Sequence, residues 1–242
     1  MTSLVFPAPP PTTLAVAGSH ARFPVGRVYC IGRNYRWDPA EPAPLDMPAW
    51  FMKPATALMP AEGLLPYPPS TRDFCHEIEL VVALGAGGRD LDPARIEAEH
   101  IWGYGVGLDL TRRDLQQWAK RTGAPWEPAK AFDHSAPCTP LVPVAAGGHP
   151  RQGAIWLSVN GIERQRADLS GLLWPVNELV AMLSRSVTLA PGDLIFTGTP
   201  AGVGALNPGD IVSAGVANVG TFCMTVAPPS YPKQQETRLE QR

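Results

Sequence analysis

The sequence predicts an α+β fold in which β-structure dominates and a few helices lie at the periphery. The first reason is composition: the chain of 242 residues contains 23 glycines and 28 prolines. Average proteins contain about 12% of the two together, so this excess favours many turns and short strands. The second reason is order, because the strand candidates cluster along the chain whereas the helix candidates are scattered. The third is a repeated turn, "LAPGD" at 189–193 and "LNPGD" at 206–210, which leads into a strand each time.

Seven segments have the apolar or alternating pattern of strands. In chain order they cover 27–31, 77–84, 101–110, 154–165, 193–199, 210–216 and 221–226. Asn160-Gly161 lies inside the fourth segment and is a two-residue hairpin signal. We therefore expect that segment to fold back on itself as two antiparallel strands. Helices are predicted at 93–99, 112–121 and 175–184, where Pro or Thr stands at or just before the first turn.

The two ends of the chain and its charge bound the class of protein. Residues 1–25 resemble a Pro-rich lead-in, 26–227 one folded domain, and 228–242 a polar tail. The N-terminal stretch has no basic region, and no apolar run reaches the length of a membrane span. The net charge of −2 gives no reason to expect nucleic acid or an anionic membrane as partner. The four cysteines are widely spaced, so neither a zinc site nor a disulfide framework is indicated. We expect a soluble cytoplasmic protein.

The stretch "HEIELVVALG" at 76–85 brings two carboxylates to the start of an apolar strand. Alternate side chains of a strand point to opposite faces, so Glu77 and Glu79 are expected on one face and Ile78 on the other. Both faces become apolar from Val81 onward, which is typical of a strand covered on both sides. Two carboxylates near a core repel each other and lose hydration unless a cation lies between them. The pair therefore raises the question of a metal site.

A third carboxylate closes a strand that has glycine at every second position. In "GYGVGLDLT" at 103–111, Gly103, Gly105 and Gly107 share one face with Asp109. Glycines on one face leave room for close approach by backbone or ligand. Two Glu and one Asp together offer the oxygen ligands that Mg²⁺, Mn²⁺ or Ca²⁺ prefers. On spacing alone, a solvated pair and a turn residue remain the simpler explanation, because a lone E-x-E is a weak motif.

Six blocks in order resemble the motifs of the fumarylacetoacetate hydrolase family. They are "VYCIGRNY" (28–35), "HEIELVV" (76–82), "GYGVGLDLTRRDLQ" (103–116), "KAFDHSAP" (130–137), "VNGIERQ" (159–165) and "LAPGDLIFTGTPAGVG" (189–204). The third and fourth blocks resemble most closely the branch that includes fumarylpyruvate hydrolases and acylpyruvases. The resemblance implies a mixed β-sandwich roll with a few peripheral helices, and a catalytic domain at 26–227.

The resemblance also implies a divalent metal ion in the active site. Its ligands would be Glu77, Glu79 and Asp109, and the ion would be Mg²⁺ or Mn²⁺, with Ca²⁺ as a further candidate. Lys130 in "KAFDH" matches the family lysine that lies beside the metal and is expected to be catalytic.

Five further positions are implied as substrate contacts by the same blocks: Arg33, Tyr35, Arg113, Gln116 and Thr199. A carboxylate substrate needs a fixed donor, and the fork of Arg113 is well suited to hold an anion. The hydroxyl of Thr199 and backbone N–H groups of "TGTPAGVG" are suited to cradle a carboxylate. The other polar side chains of the predicted helix are expected on its solvated face: Arg112, Gln117 and Lys120.

One segment departs from the family pattern. The family lid begins N-Y-x-x-H-x-x-E, in which His and Glu activate water, but here the segment is "NYRWDPAEP". Asp38 stands at the His position and Glu41 keeps the Glu position, so both are candidate catalytic bases. Asp38-Pro39 with Glu41 also has the pattern of a helix N-terminus. The ordinary pKa of Asp, about 3.9 against about 6.5 for His, makes Asp38 a weaker base unless burial raises that pKa.

The function implied is a metal-dependent hydrolase that cleaves a C–C bond in a 2,4-dioxo acid of the fumarylpyruvate or acylpyruvate type, as in the breakdown of aromatic compounds. The products would be pyruvate and a carboxylic acid. One alternative is a tautomerase, isomerase or decarboxylase of a 2-oxo acid on the same metal site. Another is a homologue that keeps the metal and ligand pocket but has impaired catalysis. The expected partner is a small 2-oxo acid, with no nucleic acid or membrane, and the resemblance implies a homodimer.

Overall fold

The computed structural model describes residues 4–36 and 48–229. The strands in chain order are β1 (Thr13–Ala15), β2 (Arg22–Pro24), β3 (Val28–Gly32), β4 (Ala49–Lys53), β5 (Leu58–Pro60), β6 (Gly63–Pro66), β7 (Phe74–His76), β8 (Ile78–Leu84), β9 (Ile101–Leu108), β10 (Thr111–Arg112), β11 (Ala136–Cys138), β12 (Val142–Pro143), β13 (Ala154–Val159), β14 (Ile162–Asp168), β15 (Leu194–Phe196), β16 (Gly204–Ala205), β17 (Ile211–Val216) and β18 (Gly220–Ala227). The helices are α1 (Ile96–Glu99), α2 (Arg113–Thr122), α3 (Glu127–Lys130), α4 (Val144–Gly147) and α5 (Val176–Ser186), with short 3₁₀ turns at Ala55–Ala57 and Leu169–Gly171.

In the described residues the strands form four sheets, the two larger ones with both parallel and antiparallel pairs, which confirms the predicted sheet-dominated α+β class. The largest has eight strands, seven of them in the order β4-β3-β15-β8-β9-β11-β5, with β12 pairing beside β9. A second has five strands in the order β14-β13-β17-β18-β6, and a third has three in the order β10-β7-β16. The hairpin β1-β2 forms the fourth. The helices are few and short, as expected from the sequence.

Strand β8 lies between two separate hydrophobic clusters, which is why both of its faces are apolar. Leu80 and Val82 belong to the larger cluster, which fills the space toward the five-stranded sheet and α5. Val81 and Ala83 belong to the smaller cluster, which includes Phe196. Every residue of β8 is buried. The prediction of a strand covered on both sides is confirmed.

Part of the predicted N-terminal lead-in packs against the smaller cluster. Leu14 of β1 and Phe23 of β2 are buried there, and the Phe23 ring lies 5.0 Å from the ring of Trp102. This packing gives the hairpin of Thr13–Pro24 a structural link to the main sheet. The proposed domain boundaries themselves stay a prediction.

The predicted hairpin at Asn160-Gly161 joins β13 to β14. Both residues have positive φ, 53° and 76°, as the two-residue turn that matches strand twist requires. No helix in the described part of the chain is long and apolar enough to cross a membrane.

Candidate active site

The candidate site lies where two paired strands pass together from one sheet into another. β8 pairs with β9 in the large sheet, and their continuations β7 and β10 pair in the three-stranded sheet. Glu77 occupies the break between β7 and β8, and Asp109 follows the end of β9. The Asp109 N–H donates to the Glu77 carbonyl at 2.9 Å, so the two breaks face each other. The strands predicted at 77–84 and 101–110 are thus observed in shortened form, with β8 beginning just after Glu77 and β9 ending just before Asp109.

Three carboxylates converge at this break. Glu77, Glu79 and Asp109 are all buried, and one oxygen of each lies within 4.8 Å of the others. Glu79 is the second residue of β8 and pairs with Gly107 of β9. The Gly198 N–H donates to Glu79 Oε2 at 2.9 Å, which fixes that carboxylate from the loop after β15. Gly198 has a φ of +101° and its α-carbon approaches Asn34 so closely that a Cβ would lie 2.7 Å from the Asn34 Cβ. Only glycine fits there without strain.

Cationic side chains, two of them buried, surround the carboxylates. Lys130 of α3 donates to Glu77 Oε2 at 2.7 Å and to Asp109 Oδ2 at 2.9 Å. Lys53 of β4 lies 3.0 Å from Asp109 Oδ1, and it also donates to the backbone carbonyls of Leu110 and Lys130. Arg113 of α2 lies 3.8 Å from Glu77 Oε1. The three carboxylates are therefore matched by three cationic side chains.

The environment shifts the acidities of these groups in different directions. Burial raises the pKa of Glu79 well above its usual range, and the neighbouring charges of Asp109 and Glu77 raise it further. Burial would also raise the pKa of Asp109, but Lys130 and Lys53 outweigh it, so that this pKa falls below its usual value. Burial would lower the pKa of Lys130, but Asp109 and Glu77 raise it overall. Asp109 is thus held as a carboxylate and Lys130 as an ammonium.

The donor set fits a hard divalent cation. All three candidate ligands are carboxylates, the oxygen donors that Mg²⁺ and Mn²⁺ prefer. Asp109 Oδ1 is buried and, within the described ranges, accepts no well-aligned hydrogen bond despite its closeness to Lys53. Burial and the charges of Asp109 and Glu77 raise the pKa of Glu79, and a bound cation would offset both effects.

The predicted substrate residues fall into two groups. Arg113, Gln116 and Thr199 lie beside the carboxylates: Arg113 donates to Gln116 Oε1 at 2.9 Å, and Thr199 follows Gly198 in the loop that contacts Glu79. Arg33 and Tyr35 come from the segment after β3. Tyr35 is buried, and its hydroxyl has no hydrogen-bond partner in the described ranges, whereas Arg33 is exposed with a φ of +60°.

Of the side chains expected on a solvated helix face, Arg112 lies in β10 and is partly buried, whereas Lys120 is exposed as expected. The Arg112 guanidinium lies 4.3 Å from the centre of the Phe132 ring, and the Lys120 ammonium lies 5.4 Å from that of Trp126. Cation–π contact holds both against the protein. Gln117 is exposed, as expected.

The glycine face of β9 makes room for protein rather than for a ligand. A Cβ on Gly103 would lie 2.4 Å from the Val142 carbonyl oxygen, and one on Gly107 would lie 2.6 Å from the Phe196 ring. The glycines therefore allow β12 and the smaller hydrophobic cluster to approach β9. Of the two explanations in the sequence, close approach by the chain itself is the correct one at these positions.

Lys53 and Gln165 also lie at the site, although neither was predicted there from the sequence. Lys53 is fully buried at the end of an otherwise apolar strand, "AWFMK", and this lone charge was the available signal. Gln165 closes the block "VNGIERQ" and is the buried residue in the middle of an exposed strand. Asp38 and Glu41, the predicted lid bases, lie outside the described residues.

Known proteins resemble this chain over most of its length. Residues 27–227 match the model of the fumarylacetoacetate (FAA) hydrolase C-terminal family, and the chain belongs to that family of enzymes. Its relatives include hydrolases and tautomerases.

Three of these relatives are informative. The chain is 40% identical over 196 residues to the oxaloacetate tautomerase YcgM of Escherichia coli (strain K12), covering 80% of this chain and 89% of that protein. It is 40% identical over 179 residues to a fumarylpyruvate hydrolase of Ralstonia sp, covering 74% and 92%. It is 46% identical to the fumarylpyruvate hydrolase of Pseudomonas aeruginosa, crystallised in complex with Mn²⁺ and pyruvate, with a TM-score of 0.87 over 93% of this chain and 99% of that one.

Proposed function

We propose that the chain is a metal-dependent hydrolase that cleaves the C–C bond of a 2,4-dioxo acid of the fumarylpyruvate or acylpyruvate type. The observation that carries the proposal is the convergence of Glu77, Glu79 and Asp109, buried and bridged by Lys130. It is supported by the likeness to the Pseudomonas aeruginosa fumarylpyruvate hydrolase, whose structure holds Mn²⁺ and pyruvate. We also propose that the protein is cytoplasmic and forms a homodimer.

The charges of the site suit a dianionic reaction centre. Lys53, Lys130 and Arg113 balance the three carboxylates, so a divalent ion would leave the site with a formal charge of about +2. Mg²⁺ or Mn²⁺ held by the carboxylates would act as a Lewis acid for a developing enolate. A 2-oxo acid brings one negative charge on its carboxylate and gains a second as its enolate forms.

The side chains have separate tasks in the proposed reaction. Arg113, Gln116 and Thr199 hold the 2-oxo acid, and Lys130 stabilises negative charge beside it. Glu41 or Asp38 accepts a proton from water, which adds through oxygen to the 4-carbonyl carbon. The electron pair of the bond between C3 and C4 passes to C3, giving the enolate of pyruvate, which takes up a proton. The oxygen of water ends in the new carboxylic acid.

A second candidate is tautomerisation of oxaloacetate between its keto and enol forms. Two observations favour it: the 40% identity to the Escherichia coli oxaloacetate tautomerase, and Asp38 at the position where the family lid has His. This chemistry needs stabilisation of an enolate but no attacking water. Decarboxylation of a 2-oxo acid would draw on the same carboxylates and cations.

Steady-state rates on fumarylpyruvate, an acylpyruvate and oxaloacetate, with Mn²⁺ or Mg²⁺ supplied, test the proposal. We expect hydrolysis of the 2,4-dioxo acids, which Asp38→His should raise, because a positioned base of near-neutral pKa contributes about 10²–10⁴-fold. Asp38→Asn should keep any role of Asp38 as a helix cap, and Glu41→Gln should remove the second base. Tautomerisation of oxaloacetate without hydrolysis would favour the second candidate. If the native protein binds the metal but catalyses neither reaction, a homologue that keeps the metal and ligand pocket without catalysis is favoured.

Binding of oxalate, a mimic of enolpyruvate, tests the metal requirement without turnover. Calorimetry should detect oxalate binding with Mn²⁺ present and none after a chelator is added. Equal affinity under both conditions would contradict the role proposed for the carboxylates.

A further inference from the structure

We infer that Gln165 is a positioning residue that fixes the Thr199 hydroxyl and its loop against the metal carboxylates, so that this loop can bind the substrate carboxylate. The inference rests on the proposed function, because Thr199 is a substrate contact only under that proposal. It concerns the block "VNGIERQ", which the proposed mechanism leaves without a role.

Gln165 is a buried amide in an exposed strand. It is 1% exposed, whereas its neighbours Arg164 and Arg166 on β14 are exposed. All four hydrogen-bonding positions of its side chain are used. Its Nε2 donates to Thr199 Oγ1 at 2.8 Å and to the Pro200 carbonyl at 2.9 Å, while its Oε1 accepts from the Ile78 N–H at 3.2 Å and lies 2.9 Å from His76 Nδ1. Burying an amide is costly unless it is fully paired, so this pairing indicates that the position requires an amide.

The orientation of the amide follows from its backbone partners. The Ile78 N–H can only donate and the Pro200 carbonyl can only accept, so the oxygen of Gln165 must face Ile78 and the nitrogen must face Pro200. His76 Nδ1 must then carry a proton, because it faces the same oxygen. The amide therefore has one stable orientation and presents a donor to Thr199.

The partners of Gln165 lie on both sides of the metal carboxylates. His76 and Ile78 flank Glu77 along the chain. Thr199 and Pro200 follow Gly198, whose N–H donates to Glu79 Oε2. The Gln165 side chain thus bridges two parts of the site: the break between β7 and β8, which contains Glu77, and the loop after β15, which contacts Glu79. Because Thr199 Oγ1 accepts from Gln165, the proton of the Thr199 hydroxyl is directed away from the amide.

Two substitutions separate this role from general support of the fold. Gln165→Met keeps the volume and removes all four hydrogen bonds. Gln165→Glu keeps the two acceptor contacts to His76 and Ile78 but removes the donor to Thr199. This variant provides the test if Gln165→Met fails to fold. Each Gln165 substitution is made both in the native chain and in a chain that carries Thr199→Val. The matched control is Arg164→Met, on the exposed side of β14.

The readouts are oxalate binding to the Mn²⁺-loaded protein, Mn²⁺ affinity alone and the melting temperature. We expect Gln165→Met or Gln165→Glu to weaken oxalate binding roughly ten- to hundredfold, as loss of a hydrogen bond to a charged group does. Mn²⁺ affinity should change less than about threefold. In the Thr199→Val background the same substitutions should change oxalate affinity less than about threefold, since coupled residues are not additive. The Arg164→Met control should bind oxalate as the native protein does.

Unchanged oxalate affinity in the Gln165 variants would overturn the inference, as would an equal loss with and without Thr199→Val. Failure of the Mn²⁺-loaded native protein to bind oxalate would also overturn it. The proposed function can fail independently of this inference. If the native protein turns over no 2,4-dioxo acid but Gln165 and Thr199 are coupled in oxalate binding, the proposed reaction is wrong and the inference about Gln165 stands.

Discussion

The three carboxylates of the site differ in what surrounds each of them. Asp109 contacts both Lys53 and Lys130, and Glu77 contacts Lys130 and lies near Arg113. Glu79 instead accepts a backbone hydrogen bond from Gly198. Glu77 and Asp109 are therefore paired with cations within the protein, whereas burial and the charges of Asp109 and Glu77 raise the pKa of Glu79. A bound cation would offset the cost of holding Glu79 as a buried carboxylate.

Glu77→Gln is expected to weaken Mn²⁺ binding without unfolding the protein. The amide keeps the volume and can still accept from Lys130, but one negative charge of the donor set is lost. We expect at least about a tenfold loss, since even partners outside the ligand set are worth 10- to 100-fold. Calorimetry measures this affinity, and the melting temperature checks the fold.

The matched control is Glu62→Gln, which neutralises an exposed carboxylate away from the site. Asp109→Asn should behave as Glu77→Gln does. Native Mn²⁺ affinity in both site variants would exclude these carboxylates as the ligands.

At the scale of elements, α2 brings its first turns to the site and its last turn to solvent. Arg113 is half-buried beside Glu77 and Gln116 is buried, whereas Arg121 in the last turn is exposed. The helix ends at Gly123, which has a φ of 71° and closes it in the left-handed conformation. The two arginines of one helix therefore allow a comparison of charge inside and outside the site.

Arg113→Gln is expected to weaken oxalate binding to the Mn²⁺-loaded protein roughly tenfold or more. The substitution removes a fixed cation near the proposed carboxylate position and leaves the three carboxylates in place. Calorimetry with oxalate measures the loss, and Arg121→Gln should bind as the native protein does. If both variants bind oxalate equally well, α2 supplies no substrate contact through Arg113.

β14 ends in a carboxylate that holds the following turn. Asp168 accepts from the Ser170 hydroxyl at 2.7 Å, the Ser170 N–H at 2.9 Å and the Gly153 N–H at 3.0 Å. These bonds lower its pKa below the ordinary value. A depressed pKa contributes stability above the unfolded-state value, about 3.9 for Asp, and that contribution is lost as the pH falls through the folded-state value.

Asp168→Ala is therefore expected to lower the melting temperature at pH 7 and to have a smaller effect below about pH 4. The native protein itself loses the contribution of the carboxylate as it becomes protonated, so the two proteins converge. Thermal unfolding of both across this range measures the difference. Asp133→Ala, at another exposed carboxylate, is the control; a deficit for Asp168→Ala that stays constant with pH would contradict the assignment.

At the scale of the whole molecule, the site depends on the tight packing of β9 against its neighbours. Gly107 pairs with Glu79 across the strands and faces Phe196 and Val81 of the smaller hydrophobic cluster. A methyl group there has no space, because both side chains are buried among close-packed neighbours.

Gly107→Ala is expected to lower the free energy of unfolding by roughly 1–3 kcal/mol, the usual cost of overpacking a core. A Cβ would lie 2.6 Å from the Phe196 ring and 2.8 Å from Val81 Cγ2, so one of them must move. Gly220→Ala is the control, because its nearest contacts would be 3.9 and 4.0 Å. Urea unfolding of the two variants measures the difference, and equal stability would show that the core can relax around the methyl group.

These particular residues also show how far the sequence alone could lead. β8 and β9 were predictable because their apolar patterns are local, and the carboxylates were predictable because they stand at fixed places in those patterns. The break at Glu77 was not, since β7 has only three residues and its pairing with β10 is non-local. Lys53 was missed for the same reason: nothing near it in sequence indicates that β4 meets Asp109.

The passage of β7–β8 and β9–β10 from one sheet to another has a consequence for how this scaffold can change its chemistry. All three candidate metal ligands lie on that single ribbon, within the 33 positions from Glu77 to Asp109. The groups proposed to touch substrate come from elsewhere: α2, the loop after β15 and the segment that follows β3. Under the proposed function, ion binding and substrate choice would be inherited on separate pieces of chain, and a new reaction could be acquired by exchanging the second set while the first is left intact.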